Sequence, residues 1–243
     1  MRIHVVNPNA TRSMTEKIGA AARAAASAGT TVVAADVPSA PVSIEGYYDG
    51  ALAVPGLLAA IAAAEADGAD AHVIACFDDT GLDAARSLAD APVIGIGEAA
   101  CHMASLIGGR FSVVTTLSRS VPILEQNLVR SGLDGRCGRV RAAEVPVLAL
   151  EDPRSDARAR VAAAIAAAIA EDGAEAIVLG CAGMADLATT YAQEFGVPVV
   201  EGVSAAVRLA EALAGLGLRT SKAGGWARPR PKPGGFEGTA AAV

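Results

Sequence analysis

Residues 68–76 read GADAHVIAC, and residues 173–181 read GAEAIVLGC. The two segments align without a gap at an offset of 105 residues, and each ends an apolar run with a cysteine. Apolar runs without polar alternation are typical of parallel strands that helices cover on both faces. We therefore predict two equivalent buried strands, with Cys76 and Cys181 at their carboxyl ends.

Two further pairs of segments repeat in the same order along the chain. Residues 2–9, RIHVVNPN, align with residues 110–117, RFSVVTTL, at an offset of 108. Residues 91–94, APVI, align with residues 197–200, VPVV, at an offset of 106. Chance similarity of buried strands is the alternative explanation, but three ordered matches at nearly one offset favour an internal duplication.

Short β-branched runs alternate with alanine-rich helical patterns along the chain. This alternation is typical of α/β folds, and with the repeat it predicts two pseudo-symmetric open parallel-sheet α/β lobes that face each other across a cleft. Residues 1–97 and 204–243 are expected to form the first lobe, and residues 98–203 the second. Strands are expected at Ile3–Val6, Thr31–Ala34, Ala71–Ala75, Val93–Ile96, Phe111–Thr115, Ala176–Leu179 and Val197–Val200. Helices are expected at Ser13–Ser27, Ala51–Ala66, Leu82–Ala89, Ala99–Ile107, Val121–Ser131, Ser155–Glu171, Ala185–Glu194 and Ser204–Leu213.

Composition excludes several classes of function. The 243 residues carry a net charge of −6, which gives no electrostatic footprint for nucleic acid or an anionic membrane. No transmembrane helix, signal peptide or phosphate-binding glycine motif is predicted, and cytoplasm is the expected location. The four cysteines and three histidines have no metal-ligand spacing, so no metal site and no cofactor are expected. The Gly- and Pro-rich segment from Arg219 onward is expected to be an extended tail.

The two repeated cysteines are the strongest candidates for catalysis. Ligands of open α/β sheets bind at the carboxyl ends of strands, so facing lobes would direct Cys76 and Cys181 into one cleft. The helix after each cysteine is expected to lower the thiol pKa through its positive N-terminal end. A small buried hydrophobe is the alternative role of a single cysteine, and we assign that role to Cys101 and Cys137.

Two thiols on opposite sides of one carbon atom suit inversion of a stereocentre. One thiolate removes a proton, and the opposite thiol returns a proton to the other face. With no metal or cofactor predicted, the C–H bond must already be acidic, for instance because it lies next to a carbonyl group.

Other strand ends and nearby loops supply candidate substrate-binding residues. Asn7 ends the first strand, and Thr115 and Thr116 occupy the equivalent place in the second lobe, where they could stabilise an enolate; ordinary turn and cap roles are the alternative. Asp78 and Asp79 are expected to cap the next helix rather than point inward. The complete set of predicted substrate-binding residues is Asn7, Ile44, Phe77, Thr115, Thr116, Ala182 and Gly183.

Several segments resemble the aspartate/glutamate/hydantoin racemase superfamily, and within it the hydantoin racemases. They read VNPN at 6–9, PVSIEG at 41–46, IACF at 74–77, PVIGI at 92–96, SVVTTL at 112–117, VLGCAGMAD at 178–186 and TSK at 220–222. The resemblance spans the chain and implies a two-lobed, cofactor-independent racemase, a homo-oligomer, with Cys76 and Cys181 at its two catalytic cysteine positions. Asp78-Asp79-Thr80 departs from the Gly-Asp-Pro expected there, and Glu201 from a more usual Asp, which leaves substrate preference open.

A 5-monosubstituted hydantoin is the favoured small-molecule substrate, because its C5–H lies next to a carbonyl group. Allantoin, itself a 5-substituted hydantoin, is the first alternative. Maleate isomerisation and racemisation of free aspartate or glutamate follow, the latter disfavoured by the mostly neutral strand ends. A non-catalytic metabolite-binding protein on the same scaffold is a different class of function, in which neither thiol needs to be reactive.

Overall fold

A computed structural model describes residues 1–230 and contains two four-stranded, all-parallel sheets. The first sheet has the order β2-β1-β3-β4, and the second has the order β6-β5-β7-β8. The strands are β1 (Arg2–Asn7), β2 (Thr31–Asp36), β3 (Ala71–Ile74), β4 (Val93–Gly95), β5 (Phe111–Thr115), β6 (Cys137–Ala142), β7 (Ala176–Gly180) and β8 (Val199–Glu201). The identical order in both sheets confirms the predicted two-lobed parallel α/β fold.

Within residues 1–230, eight α-helices connect and cover the strands. They are α1 (Arg12–Ala25), α2 (Tyr47–Ala66), α3 (Leu82–Leu88), α4 (Ile96–Ile107), α5 (Val121–Ser131), α6 (Ala157–Asp172), α7 (Ala188–Phe195) and α8 (Gly202–Gly215). Helix α8 follows the last strand of the second sheet, yet packs against α1 and β3 of the first lobe as well as against α4. The chain therefore crosses back between the lobes at its end.

One apolar cluster is shared by the two sheets. It contains the inward side chains of both, such as Val5 and Val73 from the first sheet and Val113 and Val178 from the second. Helices α1, α4, α5 and α8 also contribute to this central core. Two smaller clusters lie on the outer sides, under α2 and α3 in the first lobe and under α6 and α7 in the second. Both sheets are thus covered on both faces, as their apolar strands require.

The edge strand β6 was absent from the sequence prediction. Its segment, CGRVRA, contains Gly138 and two arginines, so it lacks the apolar run of the other strands. Within it, only Val140 is buried. Because β6 lies at the edge of the sheet, one of its sides tolerates charge. Arg141, for example, pairs with Asp172 at 2.6 Å. Cys137 is therefore a strand residue rather than part of a turn.

Helix α2 starts earlier than expected and is long and apolar enough, by length and composition, to cross a membrane. A single helix of this kind is weak evidence for a membrane span, because core helices of soluble proteins can be equally long and apolar. Here the side chains of Ala53, Leu57 and Ile61 are buried against the first lobe. The opposite face of α2 has no covering element among residues 1–230.

The described part of the tail, up to Arg230, docks on the first lobe. Lys222 donates to the carbonyl groups of Arg86 and Ala89 at the end of α3, a favourable place for a cation. The guanidinium of Arg86 lies 5.0 Å from the ring centre of Trp226. The segment is extended, as predicted, apart from one short turn at Gly224–Trp226, and these contacts hold it against the first lobe. The rest of the predicted tail, residues 231–243, lies outside the described residues.

A buried chain of polar side chains crosses the outer face of the first sheet. His72 Nε2 lies 2.6 Å from a carboxylate oxygen of Glu65, and His72 Nδ1 lies 3.3 Å from His4 Nδ1. His72 thus connects the Glu65 carboxylate to His4, and the two imidazole rings meet edge to face. Burial, His72 and Arg2 together lower the pKa of His4 to about 4.

This arrangement predicts an acid-dependent loss of stability. An unfolded histidine takes up a proton near pH 6.5, whereas folded His4 does so near pH 4. The contribution of His4 to the free energy of unfolding is therefore complete above pH 6.5. It falls by about 3 kcal/mol as the pH drops to 4. Urea denaturation of His4→Leu across that range should show a shallower pH dependence than the wild type, from a lower starting stability. Parallel curves for the two proteins would contradict this role of His4.

Candidate active site

The carboxyl ends of the two sheets face a small cleft between the lobes. Cys76 and Cys181, which follow β3 and β7, both line it. Five of the seven predicted substrate-binding residues also lie in the wall: Ile44, Phe77, Thr115, Thr116 and Ala182. The remaining lining residues are Asn9, Met14, Ala75, Asp78, Ser120, Val147 and Gly180. The structure thus brings the two repeat-related thiols to one cavity.

The loop after Cys76 is fixed by buried polar contacts. The Cys76 sulfur lies 3.3 Å from the hydroxyl of Thr80. Asp79 adopts a left-handed backbone conformation, with φ of 51°, and its carboxylate accepts the N–H groups of Gly97 and Glu98 at 2.9 and 2.8 Å. Asp79 therefore caps a helix, as expected, but the helix is α4 and not the α3 that follows it in sequence.

The loop after Cys181 is positioned by two glycines and one lysine. A side chain at Gly180 would lie 2.9 Å from the Cα of Thr115, so only glycine allows this approach of β7 to β5. A Cβ at Gly183 would lie 3.6 Å from the Cys181 sulfur, and the Gly183 N–H group acts to lower the pKa of this thiol. Lys17 of α1 donates to the Gly183 carbonyl at 3.5 Å and to Glu151 at 2.7 Å.

Neither thiol has the lowered pKa that the sequence led us to expect. Burial, reinforced by the Asp78 carboxylate, raises the pKa of Cys76 well above its usual value. Burial also raises the pKa of Cys181, to about 11, although the Gly183 N–H group and Lys17 oppose this rise. Desolvation outweighs any helix dipole here: α3 starts only at Leu82, and Cys181 is followed by a single short turn. At neutral pH both groups are therefore protonated thiols.

Asn7 lies behind the cleft wall rather than in it. Its side chain is fully buried and donates to Asn9 Oδ1 and to Thr15, both at 2.9 Å. Asn9, two residues later, lies in the wall instead. Strand geometry could have indicated this difference, since the last residue of a buried strand points into a helix layer and the loop residue after it is free to turn toward the cleft.

Gly183 is also outside the wall, where it supports Cys181 through its N–H group. Among the residues that the sequence reasoning missed, Val147 could have been found from the repeat. The loop after β6 corresponds to the loop after β2 that contains Ile44, but without a predicted β6 this correspondence was hidden. Ser120 precedes α5 and had no such signal.

Contacts between the lobes close the cleft. The Val147 N–H group donates to Glu45 Oε1 at 3.0 Å, which joins the two loops at the mouth. On the Cys76 side, Asn127 of α5 donates to the Asp78 carbonyl at 2.9 Å, and Ser120 lies 3.4 Å from the Asp78 carboxylate. Within residues 1–230, no group of three or more His, Cys, Asp or Glu side chains is placed to hold a metal ion.

Comparison with known proteins agrees with this architecture. The sequence matches the Asp/Glu/hydantoin racemase family over residues 3–210. A hydantoin racemase from Rhizobium meliloti is 52% identical over 232 residues, 96% of each chain. The structure of an allantoin racemase from Klebsiella pneumoniae superposes with a TM-score of 0.95 at 49% identity and 98% coverage of both chains. An aspartate racemase from Picrophilus torridus, with a TM-score of 0.64 at 13% identity over 88% of this chain and 94% of that chain, shares the fold. The resemblance inferred from the sequence motifs is confirmed: the chain belongs to the Asp/Glu/hydantoin racemase family.

Proposed function

We propose that the protein interconverts the D and L forms of 5-monosubstituted hydantoins by proton transfer at C5, with no cofactor. The observation that carries this proposal is the shared cleft of Cys76 and Cys181, the two cysteines at equivalent positions of the repeat. The high identity to a hydantoin racemase over nearly the whole chain supports the same reaction and substrate class.

The proposed reaction uses one thiolate and one thiol at a time. The thiolate takes the C5 proton, so that an S–H bond forms as the C5–H bond breaks. The electron pair moves into the neighbouring carbonyl group and gives an enolate. The thiol on the other face then gives its proton to C5 and becomes the thiolate. Thr116 places a hydroxyl group in the wall, where it can donate to a carbonyl oxygen of the substrate.

The raised thiol pKa values are compatible with this chemistry. A carbon acid next to a carbonyl group is itself weak, so a strongly basic thiolate is a suitable partner for its proton. The cost is that little thiolate exists before substrate binds. The asymmetry between the two sides, with Lys17 near Cys181 and Asp78 near both thiols, favours Cys181 as the first thiolate.

Racemisation of allantoin is the second candidate, supported by the 49% identical allantoin racemase structure. The deciding experiment offers single enantiomers of 5-isopropylhydantoin, 5-benzylhydantoin and allantoin, and follows optical rotation together with C5–H exchange in D2O. Loss of rotation above the non-enzymatic rate is expected, and the faster substrate assigns the subgroup. If no hydantoin exchanges, the proposal fails; maleate and aspartate assays, and thiol labelling in the presence of ligand, then separate the remaining alternatives.

We also propose that the protein acts in the cytoplasm as a homo-oligomer. The four cysteines are free, which suits a reducing compartment. The outer face of α2 exposes Tyr47, Tyr48 and Leu52, and the helix carries no basic residue. A surface helix normally has charged residues on its outer face, and an apolar face of this kind is typical of an interface.

This assignment predicts that Leu52→Glu weakens self-association. Burying an unpaired carboxylate in an apolar contact is costly, so sedimentation velocity should show smaller species than for the wild type at equal concentration. Leu106→Glu makes the same change at an exposed leucine of α4 and serves as the control. Dissociation of the control alone would place the interface elsewhere.

A further inference from the structure

The Asp78 carboxylate is the one acidic side chain in the cleft wall, and the wall residues include no lysine or arginine. Among residues 1–230, its side-chain hydrogen-bond donor is the Ser120 hydroxyl, at the long distance of 3.4 Å. Half-buried carboxylates are normally paired with a cation or several N–H donors. Asp78 therefore faces the cleft with acceptor capacity that the protein leaves largely unused.

The position of this carboxylate is fixed from both lobes. Its backbone carbonyl accepts a hydrogen bond from the Asn127 side chain of α5 at 2.9 Å. The next residue, Asp79, is tied to the start of α4. A carboxylate held in place before a ligand arrives loses little freedom on binding, which makes it effective in recognition.

Other polar side chains of the wall are already engaged within the protein. The Thr115 hydroxyl donates to the Gly180 carbonyl at 3.0 Å. Asn9 accepts from the Thr11 N–H group at 2.9 Å and donates to the Met14 sulfur. Asp78 is thus the strongest acceptor that remains for a ligand. A substrate ring between the two thiols would hold C5, and the groups bonded to C5, beside the loop that carries both Cys76 and Asp78.

We propose that Asp78 determines specificity by accepting a hydrogen bond from a substrate N–H group next to C5. The donor is either the ring N1–H, which every 5-substituted hydantoin carries, or an N–H group of the C5 substituent, as in the ureido arm of allantoin. The proposal rests on the proposed function, because it takes the substrate to be a ring held at C5 between the thiols.

The test is Asp78→Asn, which keeps the shape of the side chain and removes its charge. A hydrogen bond to a charged acceptor in such a site corresponds to an increase in KM of about tenfold to hundredfold. If the ring N1–H is the donor, KM for 5-isopropylhydantoin and for allantoin should rise equally, while inhibition by N1-methyl-5-isopropylhydantoin should be the same in variant and wild type. If the donor is in the arm, KM for allantoin should rise and that for 5-isopropylhydantoin should not.

Asp83→Asn is the matched control, since it removes one charge from the exposed face of the neighbouring α3. Its KM values should equal those of the wild type. The inference is overturned if Asp78→Asn leaves both KM values unchanged, or if it weakens the N1-methyl compound as much as its parent, because Asp78 would then act through shape or charge. A wild-type protein that turns over none of these rings refutes the proposed function instead, and that outcome is visible before any variant is made.

Discussion

Replacing Cys76 with alanine should lower the rate of racemisation by about 10³-fold, and replacing Cys181 should do the same. Each variant keeps one thiol, so it can still act on a proton from one face of C5. Inversion needs the opposite face as well, and the second group is missing. Optical rotation should therefore remain nearly constant in both variants, with exchange of C5–H in D2O surviving at most for one enantiomer in each.

The other two cysteines provide controls for this experiment. Cys101 is buried in α4 and Cys137 begins the edge strand β6, and neither lines the cleft. Alanine at either position should leave the racemisation rate within a few-fold of the wild type. A Cys76→Ala or Cys181→Ala variant that still racemises at the wild-type rate would rule out the two-thiol mechanism.

Gly97→Ala should reduce the free energy of unfolding by about 3 kcal/mol and abolish most activity. Helix propensity alone favours alanine in α4 by about 1 kcal/mol. The new Cβ, however, would lie 2.3 Å from the backbone carbonyl oxygen of Phe77 and 3.0 Å from Asp79 Oδ2. Backbone cannot move out of the way as a flexible side chain can. The overlap must push the Phe77 segment away from α4, and this segment contains the neighbouring Cys76.

Thermal denaturation followed by circular dichroism measures this effect, and a decrease in Tm of about 6–12 °C is expected for a chain of this size. Gly215→Ala is the matched control, because it lies at the end of α8 with no other atom within 4 Å of the new Cβ. It should be neutral or slightly stabilising. Equal Tm values for the two variants would show that the Phe77 segment yields without cost.

The fold could be predicted because its signals are local and repeated. The apolar segments before Cys76 and Cys181 repeat one pattern. The other repeated segments lie at nearly the same distances from them along the chain. Strand β6 has no such signal, since an edge strand can carry arginine on its open side. The repeat nevertheless requires a strand equivalent to β2, and applying it throughout would have located β6 and, after it, Val147.

The thiols of the candidate site could be inferred from the sequence, whereas its electrostatics could not. Whether Asp78 points inward depends on Asn127 and Ser120, which approach from the other lobe. The raised pKa values of the thiols depend in the same way on how much protein surrounds each sulfur. Likewise, Asn9 rather than Asn7 lines the cleft because the backbone turns after the end of β1. Such features arise from long-range packing, about which a single sequence carries little information.

The core shared by the two sheets also limits how a substrate can enter. Hinging the lobes apart would bring side chains such as Phe111 and Val178 into water, at about 1.5–3 kcal/mol for each large one. Releasing the loops at the mouth breaks polar contacts such as the Val147–Glu45 hydrogen bond and the Lys17–Glu151 ion pair, each worth about 1 kcal/mol. A substrate therefore enters the cleft when the two short loops at its mouth move apart, while the two lobes stay packed against each other.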